Sequence, residues 1–477
     1  MHHIHFIGIG GAGMSGLAEI ALARGIKVSG SDQNDSTKLR ELKRLGANIH
    51  LGHRANNIAA NTDLVVYTSA VKRSDNPEFI SAQSRGIRLL RRAEFLGELT
   101  APLKTIAVAG THGKTTTTAM IAHILLEAGL DPLVSVGASI FELDGKNAHA
   151  GGNILAVVEA DEYDRSFLAL TPYIAVLTTL ETEHLDIYSG LGDLQDAFVQ
   201  FASAGSEQGV IVVNIDEPAL RSVLSRFTKK IVTFGVTSEE AKYRATQIHF
   251  SGLHTTAEIL RSGERIGLLE LALPGEHNIK NALAAIAAAE SLAIPFEISR
   301  DALKDFRGAE RRAQVIGETN NILVIDDYAH HPTEIKATLS ALRAGYPGRR
   351  IVAAFQPHTF TRTKDFAEEF ASVLAKFADV LYLTEIYPAR EEPIEGVTSQ
   401  LIFNAALSAG LKNTRYVHLL EELPALVASD IKAGDIVITL GAGSITEQAP
   451  KILKRIAARL TNNNSIRPKR NFAVGSH

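Results

Sequence analysis

Short β-branched apolar runs recur along the chain, each followed by a stretch in which apolar positions fall at helical spacing. The runs are Leu64 to Thr68, Leu155 to Glu159, Ile174 to Thr178, Val210 to Asn214, Ile322 to Asp326, Ile351 to Phe355 and Val380 to Thr384. Strands alternating with helices predict an α/β fold, with parallel sheets covered by helices on both faces. Three strands run directly into glycine. The first is His5-Phe-Ile-Gly-Ile-Gly-Gly-Ala-Gly-Met-Ser-Gly16, the second Thr105-Ile-Ala-Val-Ala-Gly-Thr-His-Gly-Lys-Thr-Thr-Thr-Thr118, and a weaker third Asp435-Ile-Val-Ile-Thr-Leu-Gly-Ala-Gly-Ser444. Breaks at Leu99-Thr-Ala-Pro102 and Arg311-Arg312 predict three domains, 1–100, 101–312 and 313–460. The polar, basic segment 461–477 is expected to be a disordered tail. No fixed-period repeat is visible.

The second glycine run carries the strongest chemistry. Backbone N–H groups of Gly110, Thr111, His112 and Gly113 converge on an anion, and the helix that starts at Lys114 adds partial positive charge. Lys114 reaches the β- and γ-phosphates of a nucleotide triphosphate, and the Thr115 hydroxyl holds Mg²⁺, with Thr116 beside it. Val108 stands where the longer phosphate-loop pattern has glycine, so the match is to a shortened form. A mere glycine turn would not call for Lys followed by Thr.

The first glycine run fits the dinucleotide fingerprint Gly8-x-Gly10-x-x-Gly13, with Asp32 at the end of the next strand for a ribose hydroxyl. The pattern admits NAD, another diphosphate, or tight strand–helix packing. Further on, Glu159-Ala-Asp-Glu-Tyr-Asp164 ends a strand in four carboxylates. Packed carboxylates repel unless a cation sits among them, and Glu159, nearest the strand, is the candidate Mg²⁺ ligand against a solvated acidic loop as the alternative. His184 is a metal ligand, a helix-start hydrogen bonder or a core histidine. Asn278 and Asn281 share a helical face and suit adenine N6 and N7, with capping as the rival account for Asn278. Near the C-terminus, Asp326-Asp-Tyr-Ala-His-His-Pro332 and Gln356-Pro-His-Thr-Phe-Thr-Arg362 follow strands, where open α/β sheets bind ligands. Tyr328, His330 and Arg362 are the candidates there, Arg362 for a carboxylate or phosphate.

Composition narrows the classes. The net charge of −4 gives no general affinity for nucleic acid. The chain contains no cysteine, which removes disulfides, thiolate metal sites and a cysteine nucleophile. No apolar run is long enough for membrane insertion and no leader pattern precedes the first strand, so a cytoplasmic protein is expected.

The motifs GTHGKTTTT, EADEYD, Glu183-His-Leu-Asp-Ile-Tyr188, GEHNIKN, DDYAHHP and FQPHTFTRT occur in this order, and the set resembles the Mur ligase family of ATP-dependent amide-forming enzymes over about residues 4–450. The resemblance implies an N-terminal Rossmann-like domain for a UDP-sugar rather than NAD, a central P-loop ATPase-type parallel sheet and a C-terminal Rossmann-like amino-acid domain. It implies ATP and Mg²⁺ as cofactors, UDP-N-acetylmuramate and L-alanine as partners, and an acyl phosphate intermediate. It assigns Gly8, Gly10, Gly11, Gly13, Met14, Ser15, Asp32 and Ser69 to the UDP-sugar. Lys114, Thr115, Asn278, Asn281, Arg311 and Asp326 go to ATP, Glu159 and His184 to the metal, and Tyr328, His330 and Arg362 to the amino acid. Lys114, Glu159, His184, Arg311 and His330 become the catalytic candidates. A ligase that attaches a ready-made peptide to UDP-N-acetylmuramate, for recycling, is the near alternative; an NAD-dependent dehydrogenase is the alternative from another class. Ala313 and Thr359 depart from the family's usual Phe and Arg. Segment 193–202 contains no lysine, whereas many relatives carry a carbamylated one there, so no bicarbonate requirement is expected. Oligomeric state is not legible.

Overall fold

The computed structural model describes residues 2–182 and 187–465. His184 therefore lies outside the described residues. Three sheets form. The first is five-stranded and wholly parallel, in the order Asn48–Leu51, Lys27–Asp32, His3–Ile7, Leu64–Tyr67, Arg88–Arg91. Its first strand in sequence sits at the centre, because chain connections run outward on both sides of it. That reversal makes its carboxyl end the topological switch point where ligands bind in such sheets.

The second sheet has ten strands. Its central strand, Lys104–Ala109, lies between Ile174–Leu177 and Leu155–Glu159, in parallel on both sides. The expectation of a parallel sheet holds at this centre and fails at the edges. Lys146–His149 runs antiparallel to Leu133–Ile140, and His254–Arg261 antiparallel to Glu264–Leu271. Ser262-Gly263, both with positive φ, make the tight turn of the latter pair, and a tight hairpin can only join antiparallel strands. The third sheet is six-stranded, with Gln314–Thr319 antiparallel to Ile322–Asp327 at one edge and parallel strands thereafter.

The described chain divides by contacts into two units, one of 2–249 with 254–310, the other of 250–253 with 311–465. The first unit holds both the five- and the ten-stranded sheets on a shared core running from Ile4 and Phe6 to Phe198 and Ala241. Within it, Asn147 Nδ2 donates to Ala12 O at 2.6 Å, and a side chain at Gly97 would strike Ala169 O at 2.3 Å. Arg311 and Arg312, which the sequence reading put at the end of the central domain, belong by contacts to the second unit. The reason is local: Tyr328 N donates to Arg311 O at 2.7 Å, and both guanidinium groups lie over the Tyr328 ring. The last helix, Gln448–Ser465, extends into the segment expected to be disordered. Ile452 and Ile456 bury one face of it, and its one proline, Pro450, falls in the first turn, where a helix tolerates it.

Candidate functional site

The loop after Lys104–Ala109 is stitched to the end of the neighbouring strand by hydroxyls. Thr111 N donates to Thr179 O at 3.1 Å, His112 N to Thr179 Oγ1 at 2.7 Å, and Thr178 Oγ1 to His112 O at 2.6 Å. Gly110 has φ +147°, and a Cβ there would sit 2.0 Å from Thr178 Oγ1, so glycine is the residue the loop accepts. Gly113, with φ +83°, occupies the N-cap of the helix Lys114–Glu127. The first backbone N–H groups of that helix, at Lys114, Thr115 and Thr116, have no partner four residues back. They and the helix dipole favour an anion at this point.

Around this helix start the charges are paired. Lys114 Nζ donates to Glu162 Oε2 at 2.8 Å, to Glu162 Oε1 at 3.0 Å and to Gly110 O at 2.5 Å. Burial works against its charge, but Glu162 and Asp161 beside it hold its pKa above the usual lysine value. Thr115 Oγ1 lies 3.1 Å from both Glu159 carboxylate oxygens, and Gly137 N donates to Glu159 Oε2 at 2.8 Å. A hydroxyl and a carboxylate side by side at a strand end are hard oxygen donors of the kind Mg²⁺ takes, so these residues fit the ion. The helix Leu191–Ser203 carries no lysine, and its Asp193 Oδ1 accepts from Arg165 Nη2 at 2.6 Å.

The asparagine pair sits on the helix Glu276–Glu290, whose N-cap is Gly275, so capping does not account for Asn278. Asn278 Nδ2 donates to Pro274 O at 2.8 Å and Asn281 Nδ2 to Asn278 Oδ1 at 3.2 Å. Asn281 Oδ1 in turn accepts from Thr117 Oγ1 at 3.2 Å and lies against Gly113. The structure thus brings Gly113, Lys114, Thr115, Glu159 and the asparagine pair together in one unit.

The first glycine loop is braced differently. Gly10 N donates to Asp32 Oδ2 at 2.9 Å and Gln33 N to Asp32 Oδ1 at 2.8 Å. Gly8 takes φ +79° against Thr68, Gly11 is the N-cap of the helix Ala12–Ala23, and Gly13 leaves room for the Arg92 guanidinium, 3.0 Å from where its Cβ would be. Ser69 is exposed after the strand Leu64–Tyr67. Met14 and Ser15 turn inward. Both side chains are buried, Ser15 Oγ donates to Ala12 O, and both main-chain N–H groups donate to Gly11 O. They occupy the inward face of a helix packed on the sheet, which a motif read as a string cannot separate from the outward face.

In the second unit, Asp326 is buried and accepts from Thr439 Oγ1 at 2.5 Å and Thr446 Oγ1 at 2.6 Å, with Arg311 Nε 3.4 Å away. Arg311 Nη2 also donates to Gly441 O at 2.6 Å, within the third glycine run. Asp327, not singled out by sequence, organises the loop: it accepts from Ala313 N and Ala329 N, both at 2.7 Å, and burial raises its pKa to about 6. His330 Nδ1 faces two acceptors, Tyr328 O at 3.0 Å and Glu334 Oε2 at 3.3 Å, so it carries the hydrogen and Nε2 carries a lone pair. Burial lowers the His330 pKa to about 4 despite Glu334, and the ring is neutral at pH 7. His358 Nδ1 lies 3.2 Å from Arg362 Nη1 and accepts from it; burial and then Arg362 lower its pKa to about 4. Tyr328, His330, His358 and Arg362 therefore form one cluster. Thr359 holds φ +67° at the N-cap of Phe360–Phe377 and contributes no cation.

A strand, a glycine loop and a lysine-led helix at the centre of a parallel sheet, with a strand-end acid beside them, define the phosphate-loop class of α/β proteins. Three family models cover most of the chain. "Mur ligase family, catalytic domain" matches residues 3–103, "Mur ligase middle domain" residues 108–289, and "Mur ligase, glutamate ligase domain" residues 311–443. The chain belongs to the Mur ligase family. It is 44% identical over 93% of both chains to a UDP-N-acetylmuramate–L-alanine ligase of Salinibacter ruber, and 45% identical over 94% of both chains to one of Myxococcus xanthus. Among solved structures it is similar to the UDP-N-acetylmuramate–alanine ligase of Thermotoga maritima, with TM-score 0.81 and 30% identity over 96% of this chain and all of that one. A murein peptide ligase of Psychrobacter arcticus matches at TM-score 0.68 and 28% identity, over 96% of this chain and 99% of that one.

Proposed function

We propose that the protein is a cytoplasmic ATP- and Mg²⁺-dependent ligase that joins L-alanine to the carboxylate of UDP-N-acetylmuramate in peptidoglycan synthesis. The observation that carries this reading is the set Lys114, Thr115 and Glu159 at the centre of the main sheet, in a chain similar over nearly its whole length to ligases of that name. The first glycine loop takes the diphosphate of the UDP-sugar, through Gly8, Gly10, Gly11 and Gly13, with Asp32 and Ser69 near the nucleoside. Gly110, Thr111, His112, Gly113 and Thr116 line the ATP phosphates, and Asn278 and Asn281 face the adenine; Arg311 and Asp326 are assigned to ATP by the family resemblance alone.

The sugar carboxylate is a poor electrophile, so its oxygen first takes the γ-phosphoryl group and ADP leaves. Lys114 neutralises charge on the transferring group, and Thr115, Glu159 and His184 would hold the metal. When bound, Mg²⁺ supplies further charge stabilisation to the same transfer. The amine of L-alanine then attacks the acyl carbon, phosphate leaves, and the amide remains. Arg362 faces the L-alanine carboxylate, Tyr328 packs edge-on against His330, and the His330 Nε2 lone pair accepts an N–H of the incoming amine. The recycling reading finds less support: the structural similarity to the peptide ligase is lower, at TM-score 0.68 against 0.81. Phosphate release with ATP, Mg²⁺ and UDP-N-acetylmuramate tests the proposal. Release should depend on L-alanine, and a higher kcat/KM with L-Ala-D-Glu-meso-diaminopimelate would transfer the protein to recycling.

A further inference from the structure

The strand-end acids are not one site. Glu159 takes Thr115 and Gly137, while Asp161 and Asp164 lie 3.8 and 3.7 Å from Arg92 and Arg91. Glu162 has no role in the reaction set out above, yet its buried carboxylate takes two of the contacts of Lys114. Its position is fixed from behind. Tyr188 Oη donates to Glu162 O at 2.6 Å, and Tyr188 is itself buried, its hydroxyl pushed up to about 12 by burial and by the Glu162 charge, so it stays a donor. An ammonium has three donor hydrogens. Here the two Glu162 carboxylate oxygens and the Gly110 carbonyl lie closest to Nζ, with the Thr111 carbonyl at 3.3 Å. A terminal phosphate that reaches Lys114 must take over donors that the carboxylate holds, because two anions sharing one ammonium repel each other.

We propose that Glu162 is a placeholder for the terminal phosphates of the nucleotide: it holds Lys114 charged and in position in the empty loop, and competes with the β- and γ-phosphates for it on binding. The inference rests on reading this loop as a triphosphate site. A buried ammonium without a partner is costly, so the pair keeps the empty loop in order. The same pair lowers the apparent nucleotide affinity by the fraction of time Lys114 is engaged. Glu162 is thus a positioning residue, acting through Lys114.

The test compares wild type, Glu162→Gln, Glu162→Asp and Lys114→Ala. It measures binding of a non-hydrolysable ATP analogue and of AMP, both with Mg²⁺, and thermal unfolding with and without the analogue. Glu162→Gln should melt lower when empty, gain more on adding the analogue, and bind it about three- to tenfold tighter. Its affinity for AMP should not change, because AMP carries neither phosphate that reaches Lys114. Glu162→Asp, one methylene shorter but still charged, should move the same way by less, and serves if the Gln variant fails to fold. A Glu162 variant that binds the analogue no tighter than wild type, or shifts AMP by the same factor, overturns the proposal and leaves the ATP reading standing. If wild type does not bind the analogue, or Lys114→Ala binds it equally well, the triphosphate reading itself falls.

Discussion

The two glycine loops of the first unit occupy equivalent places, each after the central strand of its sheet and before a helix, yet they are braced by different chemistry. At the first, a single carboxylate, Asp32, accepts from the backbone of Gly10 and Gln33 and fixes the loop from outside. At the second, threonine hydroxyls fix the backbone, and the charged Lys114, half-buried, pairs with the buried Glu162. The first arrangement suits a ligand that is held and not changed: fixed N–H groups and a helix end, with no mobile charge in the loop itself. The second suits a group that leaves, because a charged side chain can follow developing charge. The same strand–glycine–helix string therefore serves binding in one sheet and chemistry in the other, and the neighbours of the loop decide which.

The difference breaks most visibly at Lys114. Lys114→Ala should cost roughly 3 kcal/mol or more in transition-state stabilisation, about a hundredfold in kcat, with little change in the KM for the UDP-sugar. Near-wild-type turnover at saturating ATP would remove the chemical role of the second loop. An effect of similar size is expected at acid pH under the first loop. Glu78 is buried, and although burial alone would raise its pKa, hydrogen bonds from His5, Ser31 and Asn57 hold it at about 2, below the ordinary 4.5. A carboxylate lowered on folding adds stability that is fully present above about pH 4.5 and is lost as pH falls towards 2, on the order of 3 kcal/mol in total. Urea unfolding between pH 6 and pH 2.5 should show that slope, and Glu78→Gln should flatten it. An unchanged slope in the variant would refute the assignment. Next in size, Glu159→Gln should raise the Mg²⁺ concentration for half-maximal activity by at least about tenfold. UDP-sugar binding should be untouched, and an unaltered Mg²⁺ requirement would take the metal away from Glu159.

How far the sequence could be read follows from where each signal lies. Strands buried on both faces write continuous apolar runs, and Leu155–Glu159, Val210–Asn214, Ile351–Phe355 and Val380–Thr384 begin and end where those runs do. The interior strand Tyr243–Ser251, between Lys230–Gly235 and His254–Arg261, alternates in burial, and its mixed polar pattern does not stand out from loop. Site residues announced themselves where chemistry and chain position coincide, as with Lys114 after Gly113 or Glu159 at a strand end. Those defined by a distant partner did not. Glu162 stands 48 positions from Lys114, and Thr178 and Thr179 stand 66 and 67 from His112. Nothing local distinguishes Glu162 from Asp161 or Asp164, whereas the fold gives each a different cation. Met14 and Ser15 show the opposite case: they sit inside a ligand motif, yet their side chains lie on the buried face of its helix.

The smallest expected effect falls on the brace of the first loop and sharpens the comparison most. Asp32→Asn keeps one acceptor oxygen and replaces the other with an N–H₂ group, so one of the two bonds to Gly10 N and Gln33 N is lost and two N–H groups face each other. Loss of one such bond is worth about 1–2 kcal/mol. If the loop only holds the diphosphate, that cost appears as uniform binding: KM for UDP-N-acetylmuramate rises about five- to twentyfold, while kcat and the KM for ATP stay as they were. Steady-state kinetics with each substrate varied in turn reads this directly. A fall in kcat equal to the rise in KM would mean that Asp32 acts on the transition state, and the contrast between a loop that holds and a loop that reacts would no longer stand.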